Sequence, residues 1–275
     1  MRIIFLSIVL FSVCQVGICQ IERPNKAYGK FKAEVTGLNS VNYKYEYVIE
    51  NSEESEQVLV SFSINIKDRS FYGKTIPSPP NKKWYIDGLG KVYITGAAAG
   101  RALSLPPENG LEPGEAMEIS FVSKGLPAIN PFYTEGFVRP FTRELIDSLF
   151  KAGYTEDEIF IDWKEAAYKG YTISPRVWAD SVDLKTFLNK LKSYRSRSCN
   201  EFEWVNTVAV CNDLQDQLQE VSTHFAAGDS LLAANAVTDF IEIIKANRSA
   251  NMTTEGYGLF YYNARYLLQR LGNYP

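Results

Sequence analysis

The chain has 275 residues, of which 45% are hydrophobic and 22% charged, which excludes a disordered polymer and allows one large domain or two ordinary ones. Lys and Arg number 29 against 32 Asp and Glu, a formal charge of −3, so the composition lacks the excess of basic residues that phosphate-driven nucleic-acid binding needs. A single histidine, His224, excludes a multi-histidine metal site.

Residues 1–19 read as a signal peptide. Arg2 is the charged start, Ile3 to Val13 is an apolar run broken only by Ser7 and Ser12, and Gly17 and Cys19 are small residues spaced for cleavage before Gln20. A membrane anchor is the alternative, but the run is shorter than the roughly 20 residues that cross a bilayer. Ile18 before Cys19 and Val13 before Cys14 do not fit lipidation of either cysteine. The expected product is secreted or periplasmic, with no integral membrane segment after cleavage. It keeps two cysteines, Cys199 and Cys211, in a compartment that permits a disulfide. One continuous helix would hold them about 16 Å apart, too far to bridge, so pairing predicts a helix break, with Asn206 capping a new helix from Thr207.

From residue 28 to about 137 the apolar period is two, which predicts an antiparallel β-sandwich domain over 24–140, of immunoglobulin-like type with about seven strands. Phe31, Ala33 and Val35 mark the first strand. Val41, Tyr43, Tyr45, Tyr47 and Ile49 mark the second, up to a polar turn at Asn51. Val58, Val60, Phe62, Ile64 and Ile66, then Val92 and Ile94, then Met117, Ile119 and Phe121 mark further strands. Prolines and glycines between them, among them Pro77, Pro79, Pro80, Pro113 and Gly114, supply turns. The order of Tyr45 and Tyr47 with Asn51, the Pro-rich loop from Pro77 to Trp84, Pro113 with Gly114, and the run from Ser123 to Pro127 resembles a recurring sandwich region of bacterial exported proteins. That resemblance implies an architecture and no catalytic residues.

The segment 141–180 is expected to be a linker with one short helix, capped by Thr142, running through Phe150 and stopping at Gly153. Thr155 with Glu158 matches a capping box, yet Ile159 to Trp163 reads equally as strand. From 181 to 275 the period is 3.6. Leu184, Phe187, Leu188 and Leu191 mark a helix ending near Arg197, and Cys211, Leu214, Leu218, Val221 and Phe225 mark another ending at Gly228. Asp229 or Ser230 opens a third with Ala233, Ala234, Val237, Phe240, Ile241 and Ile244 inward. Thr253 or Thr254 opens the last, which carries Tyr257, Phe260, Tyr261, Ala264, Leu267, Leu268 and Leu271. Short connections predict an antiparallel bundle, so the fold class is α+β, a sandwich followed by helices. Trp204 and Val205, Leu214 and Leu218, Gly228 and Asp229, Ala233 to Asn235, Phe240 and Ile241, Tyr262 to Ala264, Leu267, Leu268 and Leu271 are together similar to the FIMAH-like helical module of bacterial extracellular proteins. That similarity implies an appended non-catalytic module; the link from Arg248 to Met252 departs from its pattern.

No catalytic, cofactor or metal-ligating set emerges. His224 near a helix C-terminus is explained by the helix dipole, and no nucleophile elbow, P-loop or dinucleotide fingerprint appears. The basic stretch from Lys190 to Arg197 suits the end of a helix. Asn247 to Ser249 and Asn251 to Thr253 match the N-glycosylation pattern, a chance match if the source is bacterial, as the two resemblances imply. The acidic runs Glu50–Glu56 and Glu156–Glu165 are expected to be solvated; a carboxylate pair within them is the basis of the rival reading, a polysaccharide-acting hydrolase. Tyr72, Trp84, Tyr85 and Tyr93 fall in or beside the Pro-rich loop, where an aromatic surface could hold a sugar ring or a protein partner; the competing reading has Trp84 plugging the core. The expected function is that of a non-enzymatic extracellular binding or structural module with a glycan or protein partner and no cofactor; a purely structural role, such as a spacer, is the second rival.

Overall fold

The computed structural model describes residues 24–66, 84–87, 93–98, 107–138, 142–156, 166–178 and 182–272. Eight strands lie in it: β1 (Gly29–Gly37), β2 (Tyr43–Asn51), β3 (Leu59–Asn65), β4 (Trp84–Asp87), β5 (Tyr93–Ala98), β6 (Ala116–Ser123), β7 (Leu126–Gly136) and β8 (Tyr168–Arg176). The helices among the described residues are α1 (Arg143–Lys151), between β7 and β8, then α2 (Leu184–Asn200), α3 (Val208–Ala226), α4 (Ser230–Asn247) and α5 (Thr254–Gly272).

All strand pairing is antiparallel, in a three-stranded sheet ordered β1-β2-β6 and a five-stranded sheet ordered β4-β5-β3-β7-β8. The chain crosses between sheets after β2, β5 and β6, an immunoglobulin-like arrangement. Turn chemistry explains the joints. The Asn39 side-chain oxygen accepts the N–H groups of Val41 and Asn42 at 3.0 and 2.9 Å and so shapes the β1–β2 turn. Val41 therefore belongs to that turn, 54% exposed, and not to the second strand as its place in the alternation suggested. Fully buried Asn51 donates to the carbonyls of Gln57 and Leu111 at 2.9 and 2.8 Å, tying the end of β2 to two loops. Gly114, at φ +83°, follows Pro113 in a turn closed by Glu115 N–H to the Glu112 carbonyl, the geometry that needs glycine at its third position.

Inside, Tyr45 and Tyr47 stack on Phe121, and their hydroxyls reach across to donate to the carbonyls of Gly125 and Ile173 at 2.7 and 2.9 Å. Phe31 of one sheet stacks on Phe132 of the other with ring centres 3.9 Å apart. Phe62 and Phe132 each lie over a glycine on the neighbouring strand, Gly96 and Gly170, where a Cβ would fall 2.1 and 2.3 Å from the ring.

Residues 141–180 hold the expected helix, capped by Thr142 Oγ1 accepting from Leu145 N–H at 3.3 Å. They also hold β8, paired with β7 from Leu126↔Arg176 to Thr134↔Tyr168. The sandwich thus extends to Arg176, past the expected boundary at 140, and part of the predicted linker is a sheet strand. Residues 157–165, with Glu158 of the capping box and the segment that reads equally as strand, lie outside the described residues, as does Val92.

The helices form the expected bundle. Asp229 caps α4 through Leu232 N–H at 2.9 Å, and Thr253 caps α5 through Gly256 N–H at 3.3 Å. On α4, Ala236 takes the buried position expected of Ala234, which is half-buried. α5 packs on β1, β7 and β8, so the buried apolar residues of sandwich and bundle form one continuous core. Gly258 makes this close approach: a Cβ there would lie 3.3 Å from Val35 and 3.4 Å from Ile173.

Candidate binding surfaces

Trp84, Tyr85 and Tyr93 point to different places. Trp84 is 7% exposed, lies 5.8 Å from the Phe62 ring and donates its indole N–H to the Asn109 carbonyl at 2.8 Å. It is a core residue, which removes it from the expected aromatic surface. Tyr85, one position on, points the opposite way and is 75% exposed. Tyr93 is half-buried on β5, and Tyr72 lies outside the described residues.

Register carries the outward face further. Tyr85 pairs with Ala97, Ala97 with Ser61 and Ser61 with Glu135, so four strands contribute one row; Thr95, Ser63 and Tyr133 form the adjacent row. A hollow of about 370 Å³ lies on this face, with Tyr85, Ser61, Ser63, Thr95 and Glu135 among its lining. The Ser61 hydroxyl donates to the Glu135 carboxylate. Ser63 is 3% exposed and its hydroxyl has no protein partner. Small side chains at Ser61, Ser63, Gly96 and Ala97 leave the floor low beside the tyrosine. Periodicity marks these residues only as the outward half of each strand; the hollow arises from register across four strands.

A second hollow, of about 580 Å³, lies where the β1–β2 turn meets α5. Its wall includes Asn39, Tyr43, Tyr262, Arg265, Tyr266 and Gln269. Sequence reading missed it because it joins residues more than 200 positions apart; Tyr43 and Tyr262 register there only as members of apolar patterns. Tyr262 sits edge-on to Tyr43, with ring centres 5.2 Å apart, and its oxygen accepts the Gly37 N–H at 2.7 Å. Burial pushes the pKa values of both tyrosines above the usual range, with Arg265 opposing that shift at each.

Cys199 is bonded to Cys211, with Cα atoms 6.1 Å apart. The break between α2 and α3 that the bond requires is present, although the residue entering α3 is Thr207 rather than Asn206 and makes no side-chain cap. His224 lies in the last turn of α3, 3.7 Å from Glu220. Arg197 closes the basic stretch in the last turn of α2, pairs with Glu201 at 2.8 Å and covers the rings of Tyr171 and Phe202 at 4.7 Å. No group of three or more His, Cys, Asp and Glu among the described residues could hold a metal ion, and no described helix is long and apolar enough to cross a membrane.

No family model matches the chain, and no curated protein matches it. Among solved structures, the chain is similar to an uncharacterised protein from Nocardia farcinica whose crystal structure reveals an immunoglobulin-like fold. The identity is 13%, the match covers 54% of this chain and 98% of that one, and the TM-score is 0.28. At that level the likeness adds nothing to the strand order and register described above, and it carries no function.

Proposed function

We propose that this protein is exported by its amino-terminal apolar segment and acts outside the cytoplasm as a non-enzymatic binding protein. Its recognition surface is the outward face of the five-stranded sheet, and its ligand is a glycan. The observation that carries this reading is Tyr85, an exposed ring standing beside a hollow floored by small and hydroxylated side chains. A pyranose ring offers an apolar face to stack on tyrosine and hydroxyls to pair with Ser61, Thr95 and Glu135, and Ser63 brings a buried hydroxyl that lacks a partner. The helical half, read as a FIMAH-like module, packs on the sandwich through α5, chiefly on β1, β7 and β8, while the other strands that line this face, β3, β4 and β5, are not among its main contacts.

Titrating the intact protein with neutral cello-, xylo- and chito-oligosaccharides tests the proposal. Retention of at least one, weakened on the order of tenfold by Tyr85→Ala, is the expected result. No binding by a folded protein would overturn it. Release of reducing ends, abolished by Glu135→Gln, would make the protein the hydrolase instead.

A further inference from the structure

The hollow between the β1–β2 turn and α5 shares no residue with the one beside Tyr85, and its chemistry differs. Four of the polar side chains around it, Asn39, Tyr262, Arg265 and Tyr266, are set to donate. Tyr262 oxygen is already engaged as an acceptor by the Gly37 N–H, and Tyr266 oxygen by Arg270 Nη1 at 2.8 Å, so each hydroxyl keeps its proton to give. Asn39 spends its carbonyl oxygen on two backbone N–H groups, which leaves its NH₂ to donate. Arg265 is exposed, lies 5.8 Å from the Tyr261 ring and has no carboxylate partner among the described residues. None of the described lining residues is acidic.

We infer that this junction groove is a second binding site, whose ligand is an acidic saccharide with the carboxylate of a uronic acid at Arg265. A guanidinium is matched to a carboxylate by its paired N–H groups, and three neutral donors around one cation match a ligand with many hydroxyl and ether oxygens and one charge per ring. The Tyr43 and Tyr262 rings supply the flat apolar wall, and about 580 Å³ is within the range of small-ligand sites, roughly 300–1,000 Å³. Because the wall is built half from the sandwich and half from α5, the site exists only while the two halves are docked. The packing of α5 on β1 thereby has a binding consequence as well as a structural one.

Isothermal titration of the intact protein with galacturonate and hyaluronan tetrasaccharides tests this, with the methyl-esterified galacturonate as the uncharged control. At least one uronate binds, esterification or Arg265→Gln weakens it tenfold or more, and Tyr85→Ala leaves it unchanged. No uronate binding, equal affinity for acid and ester, or full affinity in Arg265→Gln of unaltered Tm would overturn the assignment. So would tighter binding of a pentapeptide with a free carboxyl end. The neutral-oligosaccharide titration with Tyr85→Ala reads the other hollow alone, so either site can fail without the other.

Discussion

The carboxylate of Glu255, in the first turn of α5, accepts the backbone N–H of Ala33 on β1 at 2.7 Å. β1 is the edge of the three-stranded sheet, so alternate N–H groups have no strand to meet. Gly29 gives its N–H to Thr134 Oγ1 at 3.2 Å and Gly37 gives its own to Tyr262, so β7 and α5 cap an edge that would otherwise invite another strand. Glu255 is only 5% exposed, and its removal strands a buried donor. Glu255→Ala is expected to cost about 1–3 kcal/mol, and Glu255→Gln, which keeps an acceptor, less. Thermal unfolding checks it, at about 2–4 °C per kcal/mol for a chain near this size.

Adjacent residues of β4 should separate stability from binding. Trp84→Ala removes a packed indole together with the hydrogen bond that it donates to the Asn109 carbonyl, at a cost of about 3–5 kcal/mol. Tyr85→Ala changes stability by only about 0.5 kcal/mol in either direction, because its ring is in solvent. Urea melts of the two variants, read beside the oligosaccharide titration, check both halves.

Gly256 in α5 is a place where a better helix former should fail. A Cβ there would lie 2.6 Å from the Trp204 carbonyl oxygen and 2.8 Å from Met252 Cγ. The gain of about 1 kcal/mol in helix propensity is outweighed by a clash with backbone, so Gly256→Ala should lower Tm. A Tm equal to or above that of the unaltered protein would show that the Val205–Met252 bridge beside it yields easily.

The Cys199–Cys211 bond closes a loop with a sequence separation of 12 and holds the end of α2 against the start of α3. The chain-entropy model gives it about 3 kcal/mol of stability. Reduction should lower Tm accordingly, and peptide mapping of unreduced protein should recover the two cysteines on one linked fragment. Thiol counting also reports processing: the cleaved chain shows none, whereas a chain that keeps Cys14 and Cys19 shows two.

Legibility in the sequence followed burial. β1, β2 and β6 carry one buried and one wetter face, so alternation found them. β7 is buried from Leu126 through Asn130, with the sheet core on one face and α5 against it, and it contains Pro127 and Pro131; it has neither alternation nor the composition of a central strand. β8 has Thr172, Ile173, Ser174 and Pro175 all buried, which hides the period in the same way. The burial of Glu255 and Asn263 is not legible in the sequence, because the partners that bury them are remote, the Ala33 N–H for one and the Pro127 carbonyl for the other. The helices were legible because their stripes and caps are local. The docking of α5, and both hollows, depend on register between distant segments.

Asp183 offers a pH test at a single cap. One carboxylate oxygen accepts the Thr186 N–H at 2.8 Å and the other its hydroxyl at 2.6 Å, and these two hydrogen bonds hold the Asp183 pKa below its usual value of 3.8. A carboxyl depressed on folding stabilises the fold fully above its unfolded pKa, and that contribution fades as the pH falls through the folded value. Asp183→Ala should therefore lower Tm at neutral pH. The gap between variant and parent should narrow as the pH falls below 3.8 and through the depressed folded pKa of Asp183, where the parent carboxyl takes up its proton too. Asp183→Asn, an uncharged residue that also caps helices well, should show a smaller loss at neutral pH, and that loss too should shrink in acid, because it is the parent that loses its ionised cap. A gap for Asp183→Ala that stays constant while the pH falls from neutral through that range would mean that packing around the start of α2, and not the ionised cap, sets the difference.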